Sequence, residues 1–231
     1  MTTQLPLFSP GPPPDSEFAG VYDVPQAVRF IYGSRLAHEV YRVDSKKLIR
    51  WIRSGVASRS LTKVPGNNMI LTFEDLVSLR VIAALRAANV SFRSIHAAED
   101  WLRKKTRTER PFATEIVWTE GSGVFIELHE RLISASKYGQ LAMEMLREYL
   151  IPVHGLTFKN RLASTWEPAD GVLLDPMVQF GAPCVKGTRV PTRSISGMID
   201  AGDSPRWVAE SYRLSNEEVE AAIAWENSIA A

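Results

Sequence analysis

Four basic side chains on one predicted helix form the clearest chemical pattern in the sequence. In the stretch KKLIRWIR, residues 46–53, a helical advance of about 100° per residue separates the basic and apolar side chains onto opposite faces. The basic face consists of Lys46, Lys47, Arg50 and Arg53. This pattern predicts a helix that packs by its apolar side and offers four positive charges to phosphates and the major groove. The alternative is the solvated basic face of an ordinary surface helix.

The distribution of charge favours the first interpretation. The chain has 27 basic and 26 acidic side chains, and the net charge of +1 conceals an asymmetry. Residues 1–110 carry 17 Lys and Arg against 10 Asp and Glu, a net of +7, whereas residues 111–231 carry 10 against 16, a net of −6. We therefore expect a nucleic-acid partner for the first half and a basic protein partner for the second.

Patterns typical of enzymes do not occur in the sequence. It contains no G-x-x-x-x-G-K-[ST] phosphate loop, no G-x-S-x-G nucleophile elbow and no H-E-x-x-H zinc motif. Cys184 could be a nucleophile, but its apolar surroundings favour a buried structural thiol. Glu217, Glu218 and Glu220 could be metal ligands, but they are better explained as acids that complement a helix dipole. We predict a protein that is not an enzyme and has no metal site or cofactor.

Cysteine usage and hydropathy point to the cytoplasm. A single cysteine excludes an internal disulfide framework, and residues 1–9 lack the pattern of a signal peptide. No apolar run approaches the ~18 residues of a membrane span. We expect a cytoplasmic protein that has no membrane partner.

Helical periodicity and capping signals dominate residues 18–110. Residues 1–17 contain the proline-rich stretch LPLFSPGPPPD and are expected to form a disordered arm. A first helix is predicted over 24–32 with Asp23 as its cap. Thr72 and Asp75 indicate a variant capping box for a long helix, and Ser91 is expected to cap one more. The apolar positions of the long helix are Leu76, Leu79, Ile82 and Leu85.

The pattern changes after Pro111. Residues 115–118 and 124–128 flank EGSG and predict a β-hairpin. A helix over 138–149, a strand-like stretch over 150–158 and a Pro/Gly-containing link at 167–171 follow. Beyond the link we expect two short strands, over 172–174 and 183–185, and three helices. The helices are expected to begin near Pro191, Ser204 and Ser215.

The first half resembles the winged helix-turn-helix of MerR-like regulators. The similarity lies in the basic helix and in LTFEDL (71–76), LR (85–86) and VSFRSI (90–95), which look like the two helices after the wing. A departure is YGSRLAHE (32–39), where the family usually has a tight turn. The resemblance implies that the groove is contacted by Ser45, Lys46, Lys47, Arg50 and Arg53, of which Arg50 and Arg53 are the expected base readers. Contacts to the DNA backbone are expected from Arg42, Arg59 and Lys63.

The last 60 residues carry the most specific motifs. LLDP (173–176), FGAPCV (180–185) and KGTRVPT (186–192) resemble a small bacterial family without an assigned activity, known mainly as a domain of VapB-type antitoxins that accompany PIN-like ribonuclease toxins. The resemblance implies a β-hairpin, which often mediates dimerisation, followed by a three-helix, homeodomain-like unit. The motif residues are expected to serve mainly the fold, the dimer or the partner interface. They are Asp175, Pro176, Gly181, Pro183, Gly187, Thr188, Arg189 and Pro191.

Two local features of this segment bear on its role. Arg189 is expected to bridge to Asp175 across the hairpin. Trp207 and Trp225 could lie in the core or form an exposed anchor for a partner. From Asp200 to the end there are two arginines and seven acids, a net of −5, which disfavours phosphate and suits a basic protein.

Together these patterns predict a mainly helical α+β protein. Its expected parts are a disordered arm (1–17), a helix-turn-helix DNA-binding domain (18–110), a mixed connector (111–170) and an antitoxin-type domain (171–231). The expected function is that of a homodimeric antitoxin that binds a PIN-like toxin and represses its own operon. The alternatives are a MerR-like regulator whose C-terminal domain only dimerises, and an interaction module with no DNA role.

Overall fold

A computed structural model describes residues 20–33, 43–54, 62–64, 68–87, 90–118, 130 and 155–230. These residues form helices and two small antiparallel sheets, which confirms the mixed α+β class. Residues 1–17 lie outside the described residues, as does most of the segment between the first two helices. Among the helices that are described, none combines the length and the hydropathy needed to cross a membrane.

The described residues of the N-terminal part form four helices and a three-stranded sheet. The sheet has the order β1-β3-β2, with Tyr22 opposite Leu71 and Lys63 opposite Met69. Its strands are β1 (Tyr22–Asp23), β2 (Thr62–Val64) and β3 (Asn68–Leu71). The helices are α1 (Val24–Gly33), α2 (Ser45–Arg53), α3 (Phe73–Ala87) and α4 (Phe92–Thr106).

Side-chain caps fix the starts of these helices. The backbone N–H of Thr72 donates to Asp75 at 3.0 Å, and the N–H of Asp75 donates back to Thr72 Oγ1 at 3.2 Å, which confirms the variant capping box. Ser91 accepts from the backbone N–H of Ser94, as expected for its cap. Asp23 accepts from the backbone N–H of Gln26 at 2.7 Å at the start of α1. The four expected apolar positions of α3 are 0 or 1% exposed: Leu76, Leu79, Ile82 and Leu85.

The strand expected over 115–118 is wrong. After a 3₁₀ turn (Pro111–Ala113), these residues form the short helix α5 (Glu115–Trp118). The Thr114 hydroxyl donates to the carbonyl of Pro111 at 2.6 Å and keeps the chain turning. β-branched and aromatic residues therefore gave a strand-like pattern that the preceding turn overrides. The expected partner strand (124–128) and the helix over 138–149 lie outside the described residues.

A four-stranded antiparallel sheet of order β4-β5-β6-β7 follows. Its strands are β4 (Leu156–Lys159), β5 (Leu162–Ala169), β6 (Val172–Leu174) and β7 (Cys184–Val185). The link expected at 167–171 is therefore wrong, because Glu167 and Pro168 belong to β5 and the turn follows at Asp170 and Gly171. The β5–β6 register shifts between Trp166 and Ala169, so the proline lies at an irregularity that can accommodate it.

Three helices complete the chain where the sequence placed them. They are α6 (Thr192–Asp200), α7 (Pro205–Tyr212) and α8 (Asn216–Ala230). Ser204 caps α7, and Ser215 and Glu218 exchange hydrogen bonds in a capping box at the start of α8. Helix α8 spans 15 residues and is longer than the short helix expected there.

The main apolar core extends through both halves of the chain. It joins buried side chains of α1 to α4 with Trp166 on β5, Val172 and Leu174 on β6, and Trp225 on α8. The Phe30 and Trp225 rings lie 6.2 Å apart. A second, smaller core lies among β7 and the last three helices. The bounds of the four expected parts stay predictions, but the described residues on both sides of residue 110 share one core.

Candidate nucleic-acid interface and motif loop

Helix α2 separates its two faces as the sequence predicted. Leu48, Trp51 and Ile52 are buried, at 1, 3 and 4% exposure. On the other side, Lys46 and Arg50 are exposed. Arg53 is also exposed, whereas Lys47 is partly buried. The helix therefore presents a basic surface while its apolar side is held by the core.

Packing and capping hold α2 in place. The Trp51 ring meets Phe92 of α4 edge to face, with centroids 5.4 Å apart. Asp44 accepts from the backbone N–H of Lys47 at 2.7 Å, and so fixes the first turn, where Ser45 is the first residue. Arg50 and Arg53 lie in the last turn, where positive charge is favourable to the helix dipole.

Strands β2 and β3 follow α2 along the chain and pair antiparallel. Lys63 lies in β2, the strand that pairs only with β3 among the described strands. The other two residues expected to contact the DNA backbone, Arg42 and Arg59, lie outside the described residues. The structure thus places Ser45, Lys46, Lys47, Arg50 and Arg53 together on one short helix, and puts Lys63 on the strand that follows.

The motif residues of the C-terminal part build the connection from β6 to α6. Asp175 accepts from the backbone N–H of Met177 at 2.8 Å and starts a turn that includes Pro176. Thr188 closes the tight turn at Gly187, where its hydroxyl donates to the carbonyl of Val185 at 2.8 Å.

Pro183 and Pro191 hold the start of α6. The carbonyl of Pro183 accepts the backbone N–H of Thr192 at 3.0 Å, and Pro191 is the residue immediately before the helix. Both prolines therefore lie at the backbone connection that leads into α6, and the role expected for them stays a prediction.

The expected bridge from Arg189 to Asp175 is wrong. No ion pair joins these two described residues, and the Arg189 side chain is exposed. The carbonyl of Arg189 instead accepts from Gln179 Nε2 at 3.2 Å. Because Asp175 is used by the turn that follows β6, the loop closes through Gln179.

Tyr22 is the main contact residue that the sequence did not reveal. Its hydroxyl donates to the carbonyl of Gly181 at 3.0 Å, and the neighbouring N–H of Val21 donates to the carbonyl of Phe180 at 3.0 Å. Burial, followed by the charges of Asp175 and Glu74, raises the pKa of Tyr22, so this hydroxyl remains a donor. The only signal in the sequence was Gly181, whose φ of +87° favours glycine.

The residues that the sequence offered as a nucleophile or as metal ligands are Cys184 and the glutamates at the start of α8. Cys184 is 3% exposed, and burial followed by the charge of Asp175 raises the pKa of its thiol to about 11. Hydrogen bonds from its own backbone and from Ser215 lower the pKa of Glu217 at the start of α8. Within the described ranges, no group of three His, Cys, Asp or Glu side chains could hold a metal ion.

Known proteins resemble this chain both over its C-terminal residues and over most of its length. Residues 172–225 match a family described as a protein of unknown function, DUF433. A Mycobacterium tuberculosis (strain H37Rv) protein whose name describes it as a candidate antitoxin, VapB45, is 24% identical over 173 residues, which cover 68% of this chain and 72% of that protein.

A solved structure provides the likeness in fold. The crystal structure of Rv2018 from Mycobacterium tuberculosis has 23% sequence identity and a TM-score of 0.68. The alignment covers 87% of this chain and 96% of the other. The overall fold is therefore one that a solved protein shares.

Proposed function

We propose that this protein is the antitoxin of a type II toxin–antitoxin pair, which binds a PIN-like ribonuclease toxin and represses its own operon as a homodimer bound to operator DNA. Support for an antitoxin comes from the similarity to a protein named as a candidate antitoxin over 68% of the chain. The single structural observation that carries the DNA role is the basic face of α2, with Lys46, Arg50 and Arg53 exposed opposite the buried Leu48, Trp51 and Ile52.

The chemistry of α2 suits a duplex. Arg50 and Arg53 carry forked guanidinium groups that can bind guanine edges with two hydrogen bonds, whereas Lys46 and Lys47 suit phosphates as point charges. Helix α2 contains no acidic residue that would repel a backbone. Lys63, Arg42 and Arg59 are proposed as contacts to the DNA backbone that set the register of the helix.

The opposite charge of the C-terminal part suits a different partner. Its net of −5 from Asp200 onward disfavours phosphates and favours a protein with a basic surface. A nuclease that binds RNA must present positive charge to its substrate, so a ribonuclease toxin fits this requirement. The motif residues 175–191 hold the fold of this part, and no catalytic role or cofactor is proposed for the chain in its cytoplasmic setting.

Binding to the DNA upstream of the gene tests the DNA role. We expect Arg50→Ala to weaken binding by about tenfold or more, and Lys47→Ala to reduce the salt slope by about one. Arg193→Ala is the matched control, because Arg193 is an exposed arginine on a helix of the acidic part. A gel-shift titration measures both. If Arg50→Ala binds like the Arg193→Ala control, the DNA role of α2 is contradicted.

Co-purification tests the toxin role. We expect the tagged chain to retain the product of the adjacent reading frame when both are expressed together. A chain that binds the upstream DNA but retains no such protein would instead be a MerR-like regulator whose C-terminal part only dimerises. A chain that retains a protein but binds no DNA would be an interaction module.

A further inference from the structure

Among the five tryptophans whose side chains the structure describes, one differs in its surroundings. Trp51 and Trp225 each meet an aromatic ring, and Trp101 and Trp166 each meet a cationic side chain. Trp207 is 51% exposed, and its side chain has no hydrogen bond, ion pair or ring contact with the part of the chain that the structure describes. The alternative left open by the sequence is therefore decided: Trp225, 1% exposed, belongs to the core, and Trp207 does not.

Trp207 lies on the side of α7 that faces away from the smaller core. Val208 and Ala209 fill the buried side of the helix. At about 100° per residue, Trp207 lies near the centre of the opposite side, between Glu210 and Ser211. Ser204 caps the helix through the backbone N–H of Trp207, a bond that any residue except proline could make.

Exposed carboxylates lie on the helix that carries Trp207 and on the next helix, and the segment from Asp200 onward carries a net charge of −5. Glu210 is exposed on the same side of α7, and Glu217 and Glu220 are exposed on the next helix. Arg206, the basic residue beside Trp207, is already paired with Glu210 at 3.1 Å. A large exposed tryptophan is the residue type enriched among anchors at protein interfaces, and the acidic charge of this segment favours a partner with a basic surface.

We propose that the exposed side of α7 is the surface that binds the toxin, with Trp207 inserted into an apolar pocket and the surrounding carboxylates facing basic residues of the toxin. The proposal rests on the proposed function, whose partner it locates. A second copy of this chain is disfavoured as the occupant, because two faces of this kind would oppose like charges. Nucleic acid is disfavoured because bases stack on aromatic groups within positive grooves, and this surface is negative.

Affinity for the toxin tests the proposal in the full-length chain. The probe is the purified product of the adjacent reading frame, titrated against wild type, Trp207→Ala and Phe180→Ala. Phe180 is the matched control, because it is an aromatic residue of the same module that is 71% exposed. We expect Trp207→Ala to raise Kd by about thirtyfold or more and Phe180→Ala by less than about threefold.

A charge variant and a folding control complete the design. Glu217→Gln is expected to slow association and weaken its salt dependence while leaving the dissociation rate nearly unchanged. Thermal unfolding of Trp207→Ala should stay close to wild type, because Trp207 is half exposed and is not one of the residues of the smaller core.

The binding measurements distinguish a wrong surface from a wrong function. If wild type binds the toxin and Trp207→Ala binds within about twofold of it, the proposal is overturned while the proposed function stands. If wild type binds no toxin, the proposed function itself is overturned. A change from dimer to monomer in Trp207→Ala, measured by light scattering with toxin affinity retained, would assign the surface to a second copy and overturn the proposal.

Discussion

At the scale of single residues, Gly181 tolerates little change because the Tyr22 side chain lies against it. A Cβ atom built on it would lie 2.1 Å from the hydroxyl oxygen of Tyr22, a distance that real contacts do not reach. Gly187 has a similar positive φ, +78° against +87° for Gly181, but a Cβ there would meet nothing within 4 Å. Alanine at Gly187 would therefore introduce backbone strain alone, whereas alanine at Gly181 would add a steric clash.

A pair of alanine substitutions measures that difference. Gly187→Ala is expected to lower the free energy of unfolding by about 1–2 kcal/mol, the cost of a left-handed backbone. Gly181→Ala is expected to lower it by a further ~1–3 kcal/mol, because Tyr22 must move. Urea unfolding gives both values. Equal losses in the two variants would show that the Tyr22 contact does not constrain position 181.

The raised pKa of Cys184 leads to a second prediction at this scale. With a thiol pKa of about 11, the reactive thiolate is scarce at neutral pH, so alkylation by iodoacetamide should be slow and should increase up to about pH 11. A pKa raised in the folded state also stabilises the fold below the ordinary thiol pKa, a contribution that is lost as the pH rises toward 11. The urea-unfolded chain is the control, and it should react at the rate of a free cysteine. Rapid reaction of the native chain at pH 7 would contradict a structural thiol.

At the scale of elements, the start of α3 combines a cap with an ion pair. Asp75, 1% exposed, accepts from the backbone N–H of Thr72 and from Arg110 Nε at 2.8 Å. One carboxylate therefore closes the first turn of α3 and ties it to the segment after α4. Ser91 caps the first turn of α4. Unlike Asp75, it is not part of an ion pair.

Alanine at each cap separates these two contributions. Asp75→Ala is expected to lower the free energy of unfolding by about 3–5 kcal/mol, because it removes the side-chain half of the capping box and the carboxylate that pairs with the partly buried Arg110. Ser91→Ala should cost about 1 kcal/mol, the value of a cap alone. Chemical denaturation of both variants tests the difference, which disappears if the ion pair contributes nothing.

The elements that sequence predicted well are those fixed by neighbours along the chain. The capping box at Thr72 and Asp75, the two faces of α2 and the starts of the last three helices depend on spacings of three or four residues. Strand β5 was not predicted because Pro168 indicated a link. Its formation depends on pairing with β4 and β6, which no local sequence pattern specifies. The helix at Glu115–Trp118 escaped because a hydrogen bond made by Thr114 outweighs the strand propensity of its residues.

At the scale of the whole molecule, the two oppositely charged halves share one apolar core, although the sequence predicted separate domains. Strand β1 pairs with β3 on one side, and the contact of Tyr22 with Gly181 joins it to the connection between β6 and α6 on the other. Phe30 of α1 and Trp225 of α8 lie in the same core, and Arg80 of α3 lies 4.9 Å from the ring of Trp166. None of these three contacts is visible in the sequence, because no local pattern specifies a partner more than 80 residues away.

This shared core predicts that a change in one half destabilises the other. Phe30→Ala removes a ring that is 6% exposed and packs against Trp225, and a loss of about 3–5 kcal/mol is expected. Amide hydrogen exchange by mass spectrometry should then be faster in peptides of α6 to α8 as well as in those of α1. Phe180→Ala, the exposed control, should leave both sets unchanged. Protection retained in α6 to α8 while α1 loses it would mean that the smaller core among the last three helices is stable alone, and that the acidic module can hold its partner surface without the basic half.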